Sequence, residues 1–315
     1  MKKVCVIGAS GLLGNKLTRL IADYDVFGTF NQAQTDCPGA QLMKLDITKY
    51  EECESILKVK PDFIVNTAAI ANVDYCERFQ EKSYLVNVRG TANLAKIANK
   101  LECKLIQIST NGIFSGEKGN YKEDDEPNPI NYYGKTKLES ESEVRNVNDH
   151  IILRTNLLYG YIAKNLLESR SEHVNSTNFV LWVLSELNKK KSLKIVNDQF
   201  SNPTLADNLA KVIIDCIKKD LVGTFHATDI TCLNRFEFVK KIVKKFGFSE
   251  DLISEISSEE FDQLAKRPSK TCMDCSKIQK NGINLHSVDE SLDTLFDEIK
   301  EKDPTIIQEA SIIKS

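Results

Sequence analysis

No apolar stretch in this chain approaches the roughly 18–20 residues that a membrane span needs, so the sequence offers no transmembrane helix and no membrane partner. Histidine is scarce. His150, His173, His226 and His286 form neither an HxxH nor an HExxH, the spacings of a histidine-built zinc site. Excess positive charge is missing as well. The net charge is −3 and no basic stripe is visible, which argues against a nucleic-acid partner. The lysines at 189–191 and at 240, 241, 244 and 245 read as solvated helix faces. Low-complexity tracts and internal repeats are absent. An apolar run starts at residue 3 and leaves no room for a signal peptide, so the expected compartment is the cytoplasm.

Cysteine is plentiful but unpatterned. Cys5, Cys37, Cys53, Cys76, Cys103, Cys216, Cys232, Cys272 and Cys275 are scattered and odd in number. The expectation is reduced thiols, several of them acting as small hydrophobes inside strands and helices. Cys272 and Cys275 form a lone CxxC with no second pair or histidines at ligand spacing, so no metal is expected.

The chain is organised around its beginning, KKVCVIGASGLLGNKLTRLI. Lys3–Ile7 is a short β-branched run that reads as a buried strand. Gly8, Gly11 and Gly14 follow at three-residue intervals, and then Leu13, Leu17, Leu20 and Ile21 recur at helical spacing. Strand, glycine turn and helix are the context of a dinucleotide site. Gly8 makes the turn, Gly11 admits a pyrophosphate, and Gly14 lets helix and strand pack closely. The spacing is GxxGxxG, where the better known fingerprint is GxGxxG.

Strand-like runs then alternate with helical ones. Strands are expected at 25–30, 41–45, 61–66, 104–109 and 150–154, with helices at 51–57, 81–101 and 133–147. That alternation means an α/β fold, a doubly wound parallel sheet of the Rossmann type. Residues 116–131 form a polar loop long enough to be functional. Beyond residue 160 the rhythm loosens. A polar surface insertion at 164–177 precedes helices at 178–188 and 207–218 and strands at 193–196 and 224–227. Further helices are expected at 235–246, 258–264 and 287–300, and disorder in the last dozen residues. The division is a dinucleotide-binding domain over 1–160, its sheet completed by segments near 193–227. A smaller, mainly helical substrate-binding part takes in 161–315.

Tyr133 and Lys137 stand four apart in a helical segment, hence on one face. A neighbouring ammonium favours phenolate, which would lower the phenol's pKa and ready it to protonate a carbonyl oxygen. The pair lies one loop after Ser109-Thr110.

With these motifs the chain resembles an extended short-chain dehydrogenase/reductase. It is similar to the dTDP-4-dehydrorhamnose reductases and to the regulatory beta subunit of methionine adenosyltransferase. GASGLLG, VNTAAIANVD, LVNVRGTANLA, IQISTNGIFSG, NYYGKTKLE, LRTNLLYG, NDQFSNPT, GTFHAT and KRPSKTCMDCSKI carry the likeness over nearly the whole chain. The resemblance implies that Gly8, Ser10, Gly11, Leu12 and Leu13 lie along a pyrophosphate and Asp46 and Ile47 beside an adenine. It implies that Ala68 and Ala69 line the cofactor channel and that Asn87 steadies the site. Thr110 would bind the reacting carbonyl oxygen and Tyr133 would be the acid. Lys137 would hold the ribose and tune Tyr133. Asp198, Gln199, Pro203, Thr204 and Arg267 would shape the sugar-nucleotide side, Arg267 suiting a diphosphate or, equally, a structural salt bridge.

After the second strand, Thr29-Phe30-Asn31-Gln32 supplies neither the acid that favours NAD nor the arginine that favours NADP. NADP(H) is the expected cofactor, with NAD(H) accepted. Rhamnose-type reductases usually read STDYVF where this chain has Ser109-Thr110-Asn111-Gly112-Ile113-Phe114, and usually carry a tryptophan at Leu157. The expected activity is reduction of a nucleotide-linked 4-keto-deoxysugar, dTDP-4-dehydrorhamnose foremost. The alternatives are a nucleotide-binding regulatory subunit and a reductase or epimerase of another nucleotide sugar. Some rhamnose reductases are magnesium-assisted dimers. That makes a homodimer an expectation, but no carboxylate pair here is assignable to magnesium.

Overall fold

The computed structural model describes residues 1–32, 36–162, 178–260 and 263–307. Lys3–Ile7 (β1) leads through the glycine turn into Leu12–Leu20 (α1), then Asp25–Phe30 (β2) and Ala40–Lys44 (β3). Two single turns, Tyr50–Cys53 (α2) and Ile56–Val59 (α3), replace the one helix expected at 51–57. Phe63–Asn66 (β4) is followed by Val73–Arg78 (α4), which the sequence did not announce. The long helix expected at 81–101 is three pieces: Gln80–Tyr84 (α5), a π-helical turn at Leu85–Arg89, and Gly90–Leu101 (α6). Lys104–Thr110 (β5), Tyr132–Arg145 (α7) and His150–Thr155 (β6) complete the first half.

The second half holds Leu158–Tyr159 (β7), Phe179–Asn188 (α8), Leu193–Val196 (β8), Phe200–Ser201 (β9), Thr204–Leu205 (β10) and Ala206–Lys218 (α9). It continues with Gly223–His226 (β11), Leu233–Asn234 (β12), Arg235–Phe246 (α10), Ile253–Ile256 (β13), Ser276–Lys280 (α11) and Val288–Lys302 (α12).

Seven strands form one parallel sheet in the order β11-β6-β5-β4-β1-β2-β3. Its faces follow the two-residue period of a strand. Val4 and Val6 pack with Leu13 and Leu17 of α1 and with Leu209 and Ile213 of α9. Cys5 and Ile7 point the other way, onto Leu94 and Ile97 of α6. Helices cover both faces, which is why the strands read as unbroken apolar runs. A second core joins α8, α10 and α12 through Leu184, Phe238, Phe246 and Phe296. The strand at β11 joins the large sheet, whereas β8 pairs with β13 outside it.

Two further sequence expectations need correction. The helix at 258–264 is a single 3₁₀ turn, Ser258–Glu260, with 261–262 outside the described residues. There Ser258 donates from both its backbone N–H and its hydroxyl to Asp198 Oδ2, 60 positions away, so a distant segment that helical periodicity does not register holds this turn. The thiols are not all reduced: Cys232 and Cys272 form a disulfide across 40 residues, with Cα atoms 5.7 Å apart. The fold brings the two segments together, and their sequence separation held no sign of it. The other seven cysteines are buried and stand outside that disulfide. The insertion expected at 164–177 lies outside the described residues, as do 308–315, while Pro304–Ile306 forms a 3₁₀ turn. Among the described residues no helix is long and apolar enough to cross a membrane.

Candidate active site

The strand order reverses between β1 and β4, and ligands of open α/β sheets bind beside the carboxyl ends of strands at such a point. A cavity of about 810 Å³ opens there. Its wall is made by the turn after β1 (Gly11, Leu12, Leu13, Gly14), the segment after β4 (Thr67, Ala69, Asn72) and the ends of β5 and β6 (Thr110, Thr155, Asn156).

The glycine turn has the shape a diphosphate needs. Gly8 takes φ +80°, a conformation that side chains rarely adopt. A Cβ on Gly14 would lie 2.3 Å from the Gly8 carbonyl oxygen and 2.8 Å from Ala9 Cα, so helix and strand could not meet as closely. No side chain caps the N-terminus of α1, which leaves first-turn N–H groups for a ligand. Thr29 braces the turn from β2, its Oγ1 accepting from Gly8 N–H at 3.1 Å.

Tyr133 and Lys137 rise from α7, whose start is capped by Asn131 Oδ1 accepting from Gly134 N–H at 2.9 Å. Lys137 Nζ donates to the Ile108 carbonyl at 2.7 Å. Burial pulls that ammonium down to about 8 and pushes the Tyr133 phenol up to about 12, with a Thr110 hydrogen bond opposing the rise. Contrary to the sequence expectation, Lys137 does not lower the phenol: desolvation raises Tyr133 against the Thr110 hydrogen bond, and desolvation lowers Lys137 against the charge of Glu141. Beneath them Asn87, on the π-helical turn, donates to Ile70 O and to Thr136 Oγ1, both at 3.0 Å. Thr136 Oγ1 donates in turn to Tyr133 O at 2.8 Å, so Asn87 fixes the backbone that carries the phenol.

The cavity gathers Gly11, Leu12, Leu13, Ala69, Thr110, Tyr133, Lys137, Gln199 and Arg267 from the sequence-derived set. The rest do not line it. Ala68 packs on Gly8, and Asp46 Oδ1 accepts from Thr48 N–H and Oγ1 while Ile47 fills the space beside Gly90. Asp198 is turned to Ser258, and Thr204 Oγ1 donates to Asn202 O. Ser10, Pro203 and Asn87 are likewise absent from the lining. Arg267 is in an ion pair, its Nη2 donating to Asp74 Oδ2 at 2.9 Å. Sequence reasoning missed Asn156, Phe179, Trp182, Arg235 and Thr271; Asn156 and Thr271 lie within segments that carry the resemblance, whereas Phe179, Trp182 and Arg235 reach the cavity from segments without a motif.

Residues 1–301 match the family described as RmlD substrate binding domain. The chain belongs to that family. Among its relatives, the probable low-salt glycan biosynthesis reductase Agl14 of Haloferax volcanii is 32% identical, with 87% of this chain and 90% of that protein covered. A dTDP-4-dehydrorhamnose reductase of Aggregatibacter actinomycetemcomitans is also 32% identical, over 89% of this chain and 93% of its own. The methionine adenosyltransferase 2 subunit beta of Danio rerio is 28% identical over 91% and 87%. The dTDP-4-dehydrorhamnose reductase of Bacillus anthracis, solved in complex with NADP, superposes with a TM-score of 0.81 at 28% identity, covering 95% of this chain and all of that one (100%). The parallel sheet is thus the Rossmann-type sheet of the RmlD family.

Proposed function

We propose that the protein is an NAD(P)H-dependent oxidoreductase that reduces the 4-keto group of a nucleotide-linked deoxysugar, converting dTDP-4-dehydrorhamnose to dTDP-L-rhamnose. The observation that carries this reading is that Thr110, Tyr133 and Lys137 share one cavity wall with the glycine turn. Relatives named as dTDP-4-dehydrorhamnose reductases support the substrate, and the NADP in the Bacillus anthracis structure supports NADP(H), with NAD(H) as the lesser option.

The reduced nicotinamide, when bound, supplies hydride to the carbonyl carbon. Gly11, Leu12 and Leu13 would hold its diphosphate, and Ala69 would line its channel. Thr110 would hydrogen-bond the carbonyl oxygen. Tyr133, protonated at neutral pH, would give its proton to that oxygen as negative charge develops there; a phenol held near 12 still surrenders a proton to a more basic alkoxide. Lys137 would hold the ribose and place positive charge beside the developing alkoxide. Gly8, Ser10, Asp46, Ile47, Ala68 and Asn87 would shape the cofactor side from outside the lining. Gln199 would meet the sugar nucleotide, framed by Asp198, Pro203 and Thr204. We further assign it to the cytoplasm as a homodimer, which sedimentation of the purified protein checks.

The test is NADPH oxidation with dTDP-4-dehydrorhamnose, wild type beside Tyr133→Phe. Loss of the acid should cut kcat by about 10²–10⁴ while NADPH still binds. Tight NADPH binding without turnover on any 4-keto sugar nucleotide would sink the reductase reading. It would favour the second one, a regulatory subunit like the methionine adenosyltransferase relative.

A further inference from the structure

Arg235, the first residue of α10, is an ill-placed charge unless something negative joins it. The N-terminal end of a helix already presents positive partial charge. Desolvation and the nearby Arg267 guanidinium both oppose its ionisation and pull it down to about 10. Among the described residues no carboxylate pairs with it, and its guanidinium rests on the Phe179 ring, 5.0 Å from the centroid. Glu237, on the same helix turn, is engaged in the capping box, its Oε2 accepting from Asn234 N–H at 3.0 Å. Arg267 differs. Asp74 neutralises it, and its Nη1 donates to the Ala265 carbonyl at 3.0 Å. Both arginines line the cavity, together with the buried Asn156, whose Nδ2 lacks a partner.

We infer that Arg235, not Arg267, binds the anionic part of the substrate, taking the diphosphate of a nucleoside-diphosphate sugar, and that Arg267 is a frame residue locked to Asp74. A guanidinium presents paired donors that match phosphate oxygens, and an aromatic face behind it holds its plane. The diphosphate supplies the charge that the protein leaves out. This inference rests on reading the cavity as a nucleotide-sugar site.

Calorimetry on the NADP-loaded protein tests it, with dTDP and thymidine as probes and Arg235→Gln, Arg235→Lys and Arg267→Gln as variants. Arg235→Gln should weaken dTDP about tenfold or more, equivalent to about 1.4 kcal/mol, and leave thymidine and NADP unchanged. Arg235→Lys should fall between. Unchanged thymidine binding shows that the variant is folded at the site. Equal losses for dTDP and thymidine overturn the inference, as does a diphosphate-selective loss in Arg267→Gln with none in Arg235→Gln. If wild type prefers UDP or GDP and Arg235→Gln loses that ligand, the anion site stands and the dTDP reading fails. If wild type takes up no nucleoside diphosphate, the anion site falls too.

Discussion

Lys137 shows how one residue can be set against the fold that holds it. Its ammonium is buried in the cavity wall with one described hydrogen bond, to Ile108 O, and burial favours the neutral amine, bringing the pKa from 10.5 to about 8. The unfolded chain therefore holds this proton more firmly. Between about pH 8 and 10.5 the unfolded state binds more protons, so the residue's contribution to stability rises as pH climbs through that window. Below about 8 the penalty is fully present. Catalysis runs the other way, because the proposed role needs the charge. We expect the Tm of the cofactor-free wild type to gain on that of Lys137→Met between pH 7 and 10. Turnover of wild type should fall over the same range with an apparent pKa about 8. Melting curves of the two proteins that stay parallel with pH would mean that the ammonium is not desolvated.

At the scale of the element, α7 places two of the three proposed catalytic groups, and its first turn is fitted closely to its surroundings. A Cβ on Gly134 would sit 2.1 Å from the Gly112 carbonyl oxygen and 2.9 Å from Pro129 Cβ. Gly134→Ala should force the turn away from the end of β5, separating Tyr133 from Thr110. We expect a destabilisation of about 1–3 kcal/mol, typical of overpacking, with a fall in kcat larger than the fall in Tm suggests. Gly112→Ala is the control, since its Cβ would meet Thr110 Oγ1 at 3.4 Å, an ordinary contact. Equal kcat for the two variants would remove the positioning argument. Both glycines stand within motifs visible in the sequence, as do the turn after β1 and the Tyr133–Lys137 pair, because each depends on residues close in the chain. Asn87 acts through a π-helical turn that periodicity does not reveal, and its partner Thr136 is 49 positions away. Arg235 gives no signal for the same reason, and Thr271 lies within KRPSKTCMDCSKI without that pattern showing that it faces the cavity. Their place in the cavity is set by packing of distant segments, not by local pattern.

Over the whole molecule, the two sides of the cavity are anchored differently. The turn after β1 belongs to the large sheet, and α1 is further tied across the structure by the buried Lys16 amine, 3.1 Å from Asp207 and 2.6 Å from Glu298. The opposite side is held through separate segments, with Met273 packed against Ile113, Phe114 and Tyr121. Residues 270–273 touch β9 through the Phe200–Lys270 bridge and touch β5's end through Asn111 Nδ2 donating to Thr271 Oγ1 at 2.5 Å. The Cys232–Cys272 disulfide closes that side, joining these residues to the segment that enters β12 and Arg235. A cross-link over such a loop adds about 2–4 kcal/mol, on the chain-entropy account by restricting the unfolded chain. Reduction should thus lower the Tm of wild type by several degrees and leave Cys232→Ser, already without the bond, where it was. It should also raise KM for the nucleotide sugar while KM for NADPH stays fixed, since the stapled segments are not those of the glycine turn. A wild-type Tm indifferent to reductant would show that the bond carries no stability. Equal shifts in both KM values would show that the cavity loosens as one body, with no division between a rigid cofactor side and a stapled substrate side.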